Sequence, residues 1–273
     1  MGAAESSSAV AERRGAAVQI ANVSKTYSSG TGQLLAVSDI SLQVRPGEFL
    51  CIVGPSGCGK STLLRILAGL DRQTSGTIDV QANGWAVENA MVFQESGLFP
   101  WMSVAANVGF GLMTRNVPPA EASARVEAAL KLVGLTKFYR HYPHQLSGGM
   151  RQRTAIARAF VTDPALLLMD EPFAALDAQN RVILQAELVR ICEATGKTVI
   201  YITHSIEEAL LLGDRTVVMT AHPGRIKQII DVPFKRPRNL MTLSASAEFG
   251  ALKLDIWRVL EEEVMRARAE AEQ

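Results

Sequence analysis

An α/β fold organised on a mostly parallel sheet is predicted for this 273-residue chain from three observations. Residues 49–53, 165–169 and 198–202 are short, unbroken apolar runs, the pattern of strands covered on both faces. Between the first run and a stretch with helical spacing lies Gly54-Pro55-Ser56-Gly57-Cys58-Gly59-Lys60-Ser61-Thr62, which fits G-x-x-x-x-G-K-[ST] at every fixed position. A hydrophobic fraction of 48% is enough for a sizeable core.

Residues 1–17 carry Ala, Ser, Glu and Arg without an apolar segment, so a disordered tail is expected there and not a secretory signal. Alternation over 18–23 predicts a half-buried strand, 28–32 a glycine-bearing turn, and 34–37 and 40–44 further short strands. Tyr27, at the mouth of that turn, has two roles open to it: core packing or stacking on a flat base.

The glycine-rich loop joins a strand to a helix, and that setting supplies its chemistry. Its three glycines let successive amides turn inward, and the helix start adds partial positive charge. A nucleoside triphosphate fits such a cradle, with Lys60 on the β- and γ-phosphates and the Ser61 hydroxyl on the bridging Mg²⁺. Cys58, at a helix N-terminus, is expected to have a lowered pKa and to react with thiol reagents unless nucleotide shields it.

Further along, 75–80 reads as a strand, and 91–93 as a short strand delivering Gln94. Leu98, Phe99, Pro100 and Trp101 make an apolar loop that either packs inward or meets a partner. Residues 104–113 and 119–135 read as helices of a mostly helical insert, the second with Val126, Ala129, Leu130 and Val133 on one face. The stretch 146–153 opens a helix to about 161. There Ser147, Gly148 and Gly149 form either a second anion-seeking helix start or an ordinary N-cap.

The run 165–169 ends in Asp170-Glu171, two carboxylates at the ligand edge of a parallel sheet. Strand alternation points them apart, toward different tasks: one on the Mg²⁺ shell, one on the attacking water. Asp177 follows, then a helix to about 194 with Ile183, Leu184, Leu188 and Ile191 expected inside. The run 198–202 carries Thr203-His204 at the same sheet edge, where His204 is either structural or a γ-phosphate ligand. Strands over 215–219 and 225–232, joined by His222-Pro223-Gly224, precede a helix over 247–271 with Leu252, Ile256, Val259 and Leu260 on one face.

Lys and Arg number 28 against 27 Asp and Glu, so bulk charge implies no nucleic-acid partner. Cys51, Cys58 and Cys192 lack metal-site spacing and suit reduced thiols in a cytosol. No apolar run approaches the ~20 residues that span a bilayer, so the chain is not expected to cross one alone.

Together these separated motifs, above all 146–153 lying between the phosphate loop and Asp170-Glu171, resemble the ATP-binding subunit of ABC transporters over residues 18–232. The resemblance implies a P-loop NTPase core, an N-terminal antiparallel β subdomain and a helical signature subdomain over about 95–160. The ATPase domain would span 18–235, with a C-terminal helical extension over 236–273. It also implies ATP and Mg²⁺ as ligands, with Tyr27 stacking on adenine and residues Gly54 to Thr62 around the phosphates. Ser61, Gln94 and Asp170 would serve the metal, Glu171 would be the catalytic carboxylate, and His204 would sit on the γ-phosphate. Gln94 would further couple to membrane subunits. Ser147, Gly148 and Gly149 would close over the ATP bound by a second copy of the chain, and Asp177 would be the D-loop residue, counted with them among the nucleotide-binding residues. Met150 stands where many members have Gln, and the Ser-Gly-Gly donors are intact.

Residues 98–101 and 221–226 resemble the branch that energises uptake of nitrate, sulfonates or taurine. That implies two transmembrane permease subunits docking near 94–104, a separate solute-binding protein, and a place on the cytoplasmic face of the inner membrane. Two other readings are a soluble ABC-type ATPase and a small-molecule kinase. The first usually carries two cassettes or a long coiled-coil insertion, and the second has no need of Ser147-Gly148-Gly149.

Overall fold

A computed structural model describes residues 15–30, 32–82, 85, 86, 88–174, 176–236 and 238–271. Of the segments discussed above, residues 1–14, Thr31 and Ala175 lie outside the described residues. Two sheets form. The first is antiparallel and contains β1 (Ala17–Ser29), β2 (Gly32–Val44), β4 (Ser75–Ala82) and β5 (Trp85–Ala86), ordered β2-β1-β4-β5. The second contains β3 (Phe49–Val53), β6 (Asn89–Val92), β7 (Leu166–Asp170), β8 (Thr198–Ile202), β9 (Arg215–Met219) and β10 (Ile226–Asp231). Its order is β10-β9-β3-β8-β7-β6, parallel except where β10 returns along β9. Every residue of β3, β7 and β8 is buried, as their unbroken apolar runs require.

The helices are α1 (Lys60–Leu67), α2 (Val104–Thr114), α3 (Pro119–Leu132), α4 (Gly148–Phe160), α5 (Ala178–Thr195), α6 (Ile206–Leu212), α7 (Leu240–Ser244) and α8 (Ala247–Ala271). Residues Val126, Ala129, Leu130 and Val133 are buried as predicted, though Gly134, at φ +67°, ends α3 early.

Three expectations are corrected. Residues 34–37 and 40–44 are one strand, because Asn22 and Asp39 take left-handed φ (49° and 55°) and bond each other (Nδ2 to Oδ1, 2.8 Å), so the ladder continues through a bulge. Ile183 is 65% exposed, because the inner stripe of α5 instead holds the buried polar residue Gln185 beside Leu188 and Cys192. The chain is ordered before residue 18, with Ala16 buried and Ala17 opening β1. Among the described residues β5, α6 and α7 were not anticipated, nor were two single-turn 3-10 helices at Thr136–Phe138 and Pro143–Gln145.

The last helix is part of the main body. Phe249, Ile256 and Leu260 join the core that contains Phe49 and Val218, and Ile256 is fully buried. Glu263 accepts from the Ala221 amide (2.7 Å) and pairs with Lys227 (2.8 Å), which fixes α8 to the turn between β9 and β10.

Candidate functional site

The predicted residues gather where the parallel strands end. Ile202 pairs with both Ile52 and Asp170, so β3, β8 and β7 finish in register, and each feeds a different loop from the same row. The ladder extends one step further, with the Thr203 amide on the Ile52 carbonyl (3.2 Å) and the Glu171 amide on the Ile202 carbonyl (3.1 Å).

The phosphate loop leaves β3 and enters α1. Gly57 and Gly59 take φ of +77° and +93°, values that a side chain would strain. A Cβ at Gly59 would also lie 2.5 Å from Val37 Cγ1, whereas around Gly57 nothing lies within 4 Å. Gly59 caps α1 without a side-chain bond, which leaves first-turn amides for an anion. Lys60 is buried to 7% exposure inside the loop, and its ammonium donates to the Gly54 and Pro55 carbonyls at 2.8 and 2.7 Å.

The same burial overturns the expectation for Cys58. Its sulfur is enclosed, and desolvation pushes the thiol up despite the neighbouring Lys60, so it is no activated nucleophile. Cys51 and Cys192 are buried too, the latter pushed to about 12 by desolvation.

Asp170 ends β7 beside the loop. Burial raises its pKa, and a hydrogen bond with Ser61 opposes that rise. Glu171 lies past the strand, so strand alternation does not set its direction as expected. A left-handed turn (φ +46°) does, and it brings Glu171 Oε2 to 3.0 Å from His204 Nδ1. The two carboxylates therefore have separate partners, Ser61 and His204. The His204 side chain is 68% exposed, consistent with a group that meets a ligand and not with a core histidine.

Other candidates stand apart. Tyr27 is on β1, its hydroxyl on Asp71 (2.7 Å) and the Lys25 ammonium over its ring (4.6 Å). Those donors from Lys25 and Tyr27 pull the Asp71 carboxyl down to about 2. Gln94 is exposed on a bend just after β6. Ser147 N-caps α4 by accepting from the Met150 amide (3.3 Å), and Asp177 N-caps α5 by accepting from the Asn180 amide (3.0 Å). A Cβ on Gly149 would lie 2.8 Å from Leu176, so these two caps are neighbours. No hydrogen bond among the described residues joins Ser147–Gly149 to the phosphate loop.

Several supporting polar residues escaped sequence reasoning. Gln152, buried on α4, donates to the Phe93 carbonyl (3.0 Å) beside Gln94, and Arg158 holds the Ser96 and Gly97 carbonyls at 3.0 and 2.9 Å. Fully buried Asn107 accepts from the Phe99 amide (2.8 Å) and donates to the Phe99 carbonyl (3.1 Å). The available signal was a polar residue at a core position of an otherwise apolar helical pattern. Thus the 98–101 loop divides: Phe99 packs on Phe110 (4.8 Å), and Trp101 stays 70% exposed. Beside it opens a groove of about 410 Å³ lined by Leu70, Met91, Phe93 and Phe110. A cavity of about 850 Å³ lies at the opposite sheet edge, by Gly47, Glu48 and Gly196, away from these residues.

Known proteins resemble this chain in sequence and in fold. The ABC transporter family matches residues 37–174. The chain is 45% identical, over 92% of its length and 93% of the relative's, to an uncharacterised ABC transporter ATP-binding protein of Methanocaldococcus jannaschii. It is 41% identical, over 93% and 98%, to the taurine import ATP-binding protein of Roseobacter denitrificans. It is 42% identical over 86% of its length to the nitrate import ATP-binding protein of Synechococcus elongatus, of which it covers 36%. Among solved structures, a dimeric ATP-binding cassette in a post-hydrolysis state with ADP and Pi superposes with a TM-score of 0.73 at 32% identity, over 80% of this chain and all of that one. Motifs, sheet edge and relatives converge, and the chain belongs to the ABC transporter family as an ATP-binding, ATP-hydrolysing subunit.

Proposed function

We propose that this ATPase powers an importer of a small anion of the nitrate, sulfonate or taurine kind. Relatives named for taurine and nitrate import support the solute class, as does the exposed Trp101 beside an apolar groove suited to a permease helix. Two permease subunits would dock there, a separate binding protein would choose the solute, and the subunit would rest on the inner face of the membrane. No described helix is long and apolar enough to cross it.

The observation that carries the mechanism is the convergence of Lys60, Ser61, Asp170, Glu171 and His204 on one sheet edge. Lys60 and the loop amides would hold the β- and γ-phosphates, and Tyr27 would carry the adenine. Ser61 and Asp170, close enough for the hydroxyl to lower the carboxyl's pKa, would offer the hard oxygen donors that Mg²⁺ takes, and Gln94 would add a third. When bound, Mg²⁺ would neutralise charge on the departing phosphates. Glu171 would orient the attacking water and accept its proton as the bond to ADP breaks. Its contact occupies Nδ1 of His204, leaving Nε2 for the γ-phosphate. Ser147, Gly148 and Gly149 of a second copy would close over the nucleotide, with Asp177 at the same face.

ATP hydrolysis by the wild type and Glu171→Gln, measured over a range of protein concentrations, tests this reading. Specific activity should rise with concentration, and the variant should lose about 10²–10⁴-fold in turnover while still dimerising with ATP. Concentration-independent activity that survives the substitution would instead indicate a single-chain NTPase.

A further inference from the structure

Glu208, in the first turn of α6, receives three side-chain donors. Thr203 Oγ1 donates to its Oε2 at 2.7 Å, the Tyr201 hydroxyl to the same oxygen at 3.1 Å, and Gln185 Nε2 to Oε1 at 2.8 Å. Thr203, Tyr201 and Gln185 are each at most 2% exposed, so none of these donors has water as a ready alternative. The network also closes on the backbone around His204. The Ser205 amide donates to Thr203 Oγ1 (3.0 Å), and the Glu208 amide donates to Ser205 Oγ (3.3 Å). Residues 203 and 205 are thereby pinned to α6 and to the end of β8, and the peptide carrying His204 has little freedom except in its own side chain.

We propose that Glu208 is a positioning residue for the Glu171–His204 pair, and that through Gln185 it ties that pair to α5, the helix that Asp177 caps. A single carboxylate would then link two elements: the end of β8 that presents His204, and α5, whose cap Asp177 is assigned to the face that meets the second copy. Buried hydrogen bonds to a charged acceptor are strong enough to hold such a link in one arrangement. Among the described residues Glu208 makes no hydrogen bond to Glu171 or His204, and it reaches that pair through Thr203 and Ser205. This inference rests on the assignment of Glu171 and His204 made above.

The test compares steady-state ATP hydrolysis by the full chain in wild type, Glu208→Gln, Thr203→Val and Thr203→Ser. Glu208→Gln sets an amide donor against existing donors, Thr203→Val deletes the hydroxyl without changing shape, and Thr203→Ser keeps it. The expected result is a fall in kcat of about tenfold to a hundredfold in the first two, as for a slightly misplaced reacting group. Buried donors left without an acceptor should lower the melting temperature somewhat, so activity is read where circular dichroism shows each variant folded; there KM for ATP should stay near wild type, and Thr203→Ser should restore kcat. An unchanged kcat in Thr203→Val, or an equal loss in Thr203→Ser, overturns the proposal. So does a loss seen as raised KM with kcat unchanged, which marks weakened nucleotide binding and not positioning. Glu171→Gln and His204→Ala run beside them separate the two layers: if these retain turnover, the site assignment fails; if they are dead while Thr203→Val is fully active, only the Glu208 inference fails.

Discussion

Glu171 keeps a left-handed backbone at φ +46° without being glycine, a conformation that costs an L-residue about 1–2 kcal/mol. The strain is offset by neighbouring structure and aims the carboxylate at His204, as the catalytic role proposed for Glu171 would require. Glu171→Gly should therefore be more stable than Glu171→Ala by about 1 kcal/mol, since both lose the carboxylate and only glycine relieves the strain. Denaturant melts of the two inactive variants check this, and equal stability would remove strain from the account. The placement of Lys60, Ser61, Asp170 and His204 at one sheet edge was legible in the sequence, because each follows closely on a strand that could be read from its apolar run. The Cys58 expectation failed because a helix N-terminus is visible in sequence and the burial that outweighs it is not. Glu208 and Gln152 were hidden for a related reason, their partners lying on other elements.

At the scale of elements, the turn after β9 is pressed against the back of the phosphate loop. Gly224 exchanges backbone hydrogen bonds with Ala36 and Ser38, at 3.1 and 2.9 Å, and a Cβ there would stand 2.0 Å from the Cys58 carbonyl oxygen. That oxygen is backbone and cannot step aside like the end of a flexible side chain. Gly250, inside α8, has open space around its missing Cβ. The same substitution should act in opposite directions at the two positions. Gly250→Ala should stabilise by about 1 kcal/mol through helix propensity, whereas Gly224→Ala should destabilise the fold and weaken ATP binding by displacing the loop. Thermal melts with and without nucleotide would show both, and a Gly224→Ala variant with normal ATP affinity would detach this turn from the cradle. Short apolar runs made β3, β7 and β8 readable in advance, and helical periodicity did the same for α8. α6 went unread because its seven residues are too few for a period to show, and β1 and β2 looked broken because Asn22 and Asp39 signal turns when they in fact form a bulge.

The whole molecule holds two anion-seeking helix starts that do not meet within one chain. The phosphate loop opens α1 at Lys60, and Ser147 opens α4 beside Leu176, with no hydrogen bond among the described residues between them. A ligand shared by both starts therefore calls for two copies arranged head to tail, each giving its loop to one nucleotide and its Ser147-Gly148-Gly149 to the other. The superposed cassette, which is dimeric with ADP and Pi, is consistent with that arrangement. It predicts complementation. Lys60→Ala removes the loop's cation, and Ser147→Arg obstructs the second start, so each variant alone should be inactive. In an equal mixture, mixed dimers contain one site in which both halves are wild type. With half the dimers mixed and one of two sites intact in each, activity should return toward about a quarter of wild type. ATP hydrolysis on titrating one variant into the other measures it. If mixing restores nothing while both variants remain folded, each chain completes its own site, and the head-to-tail arrangement is wrong.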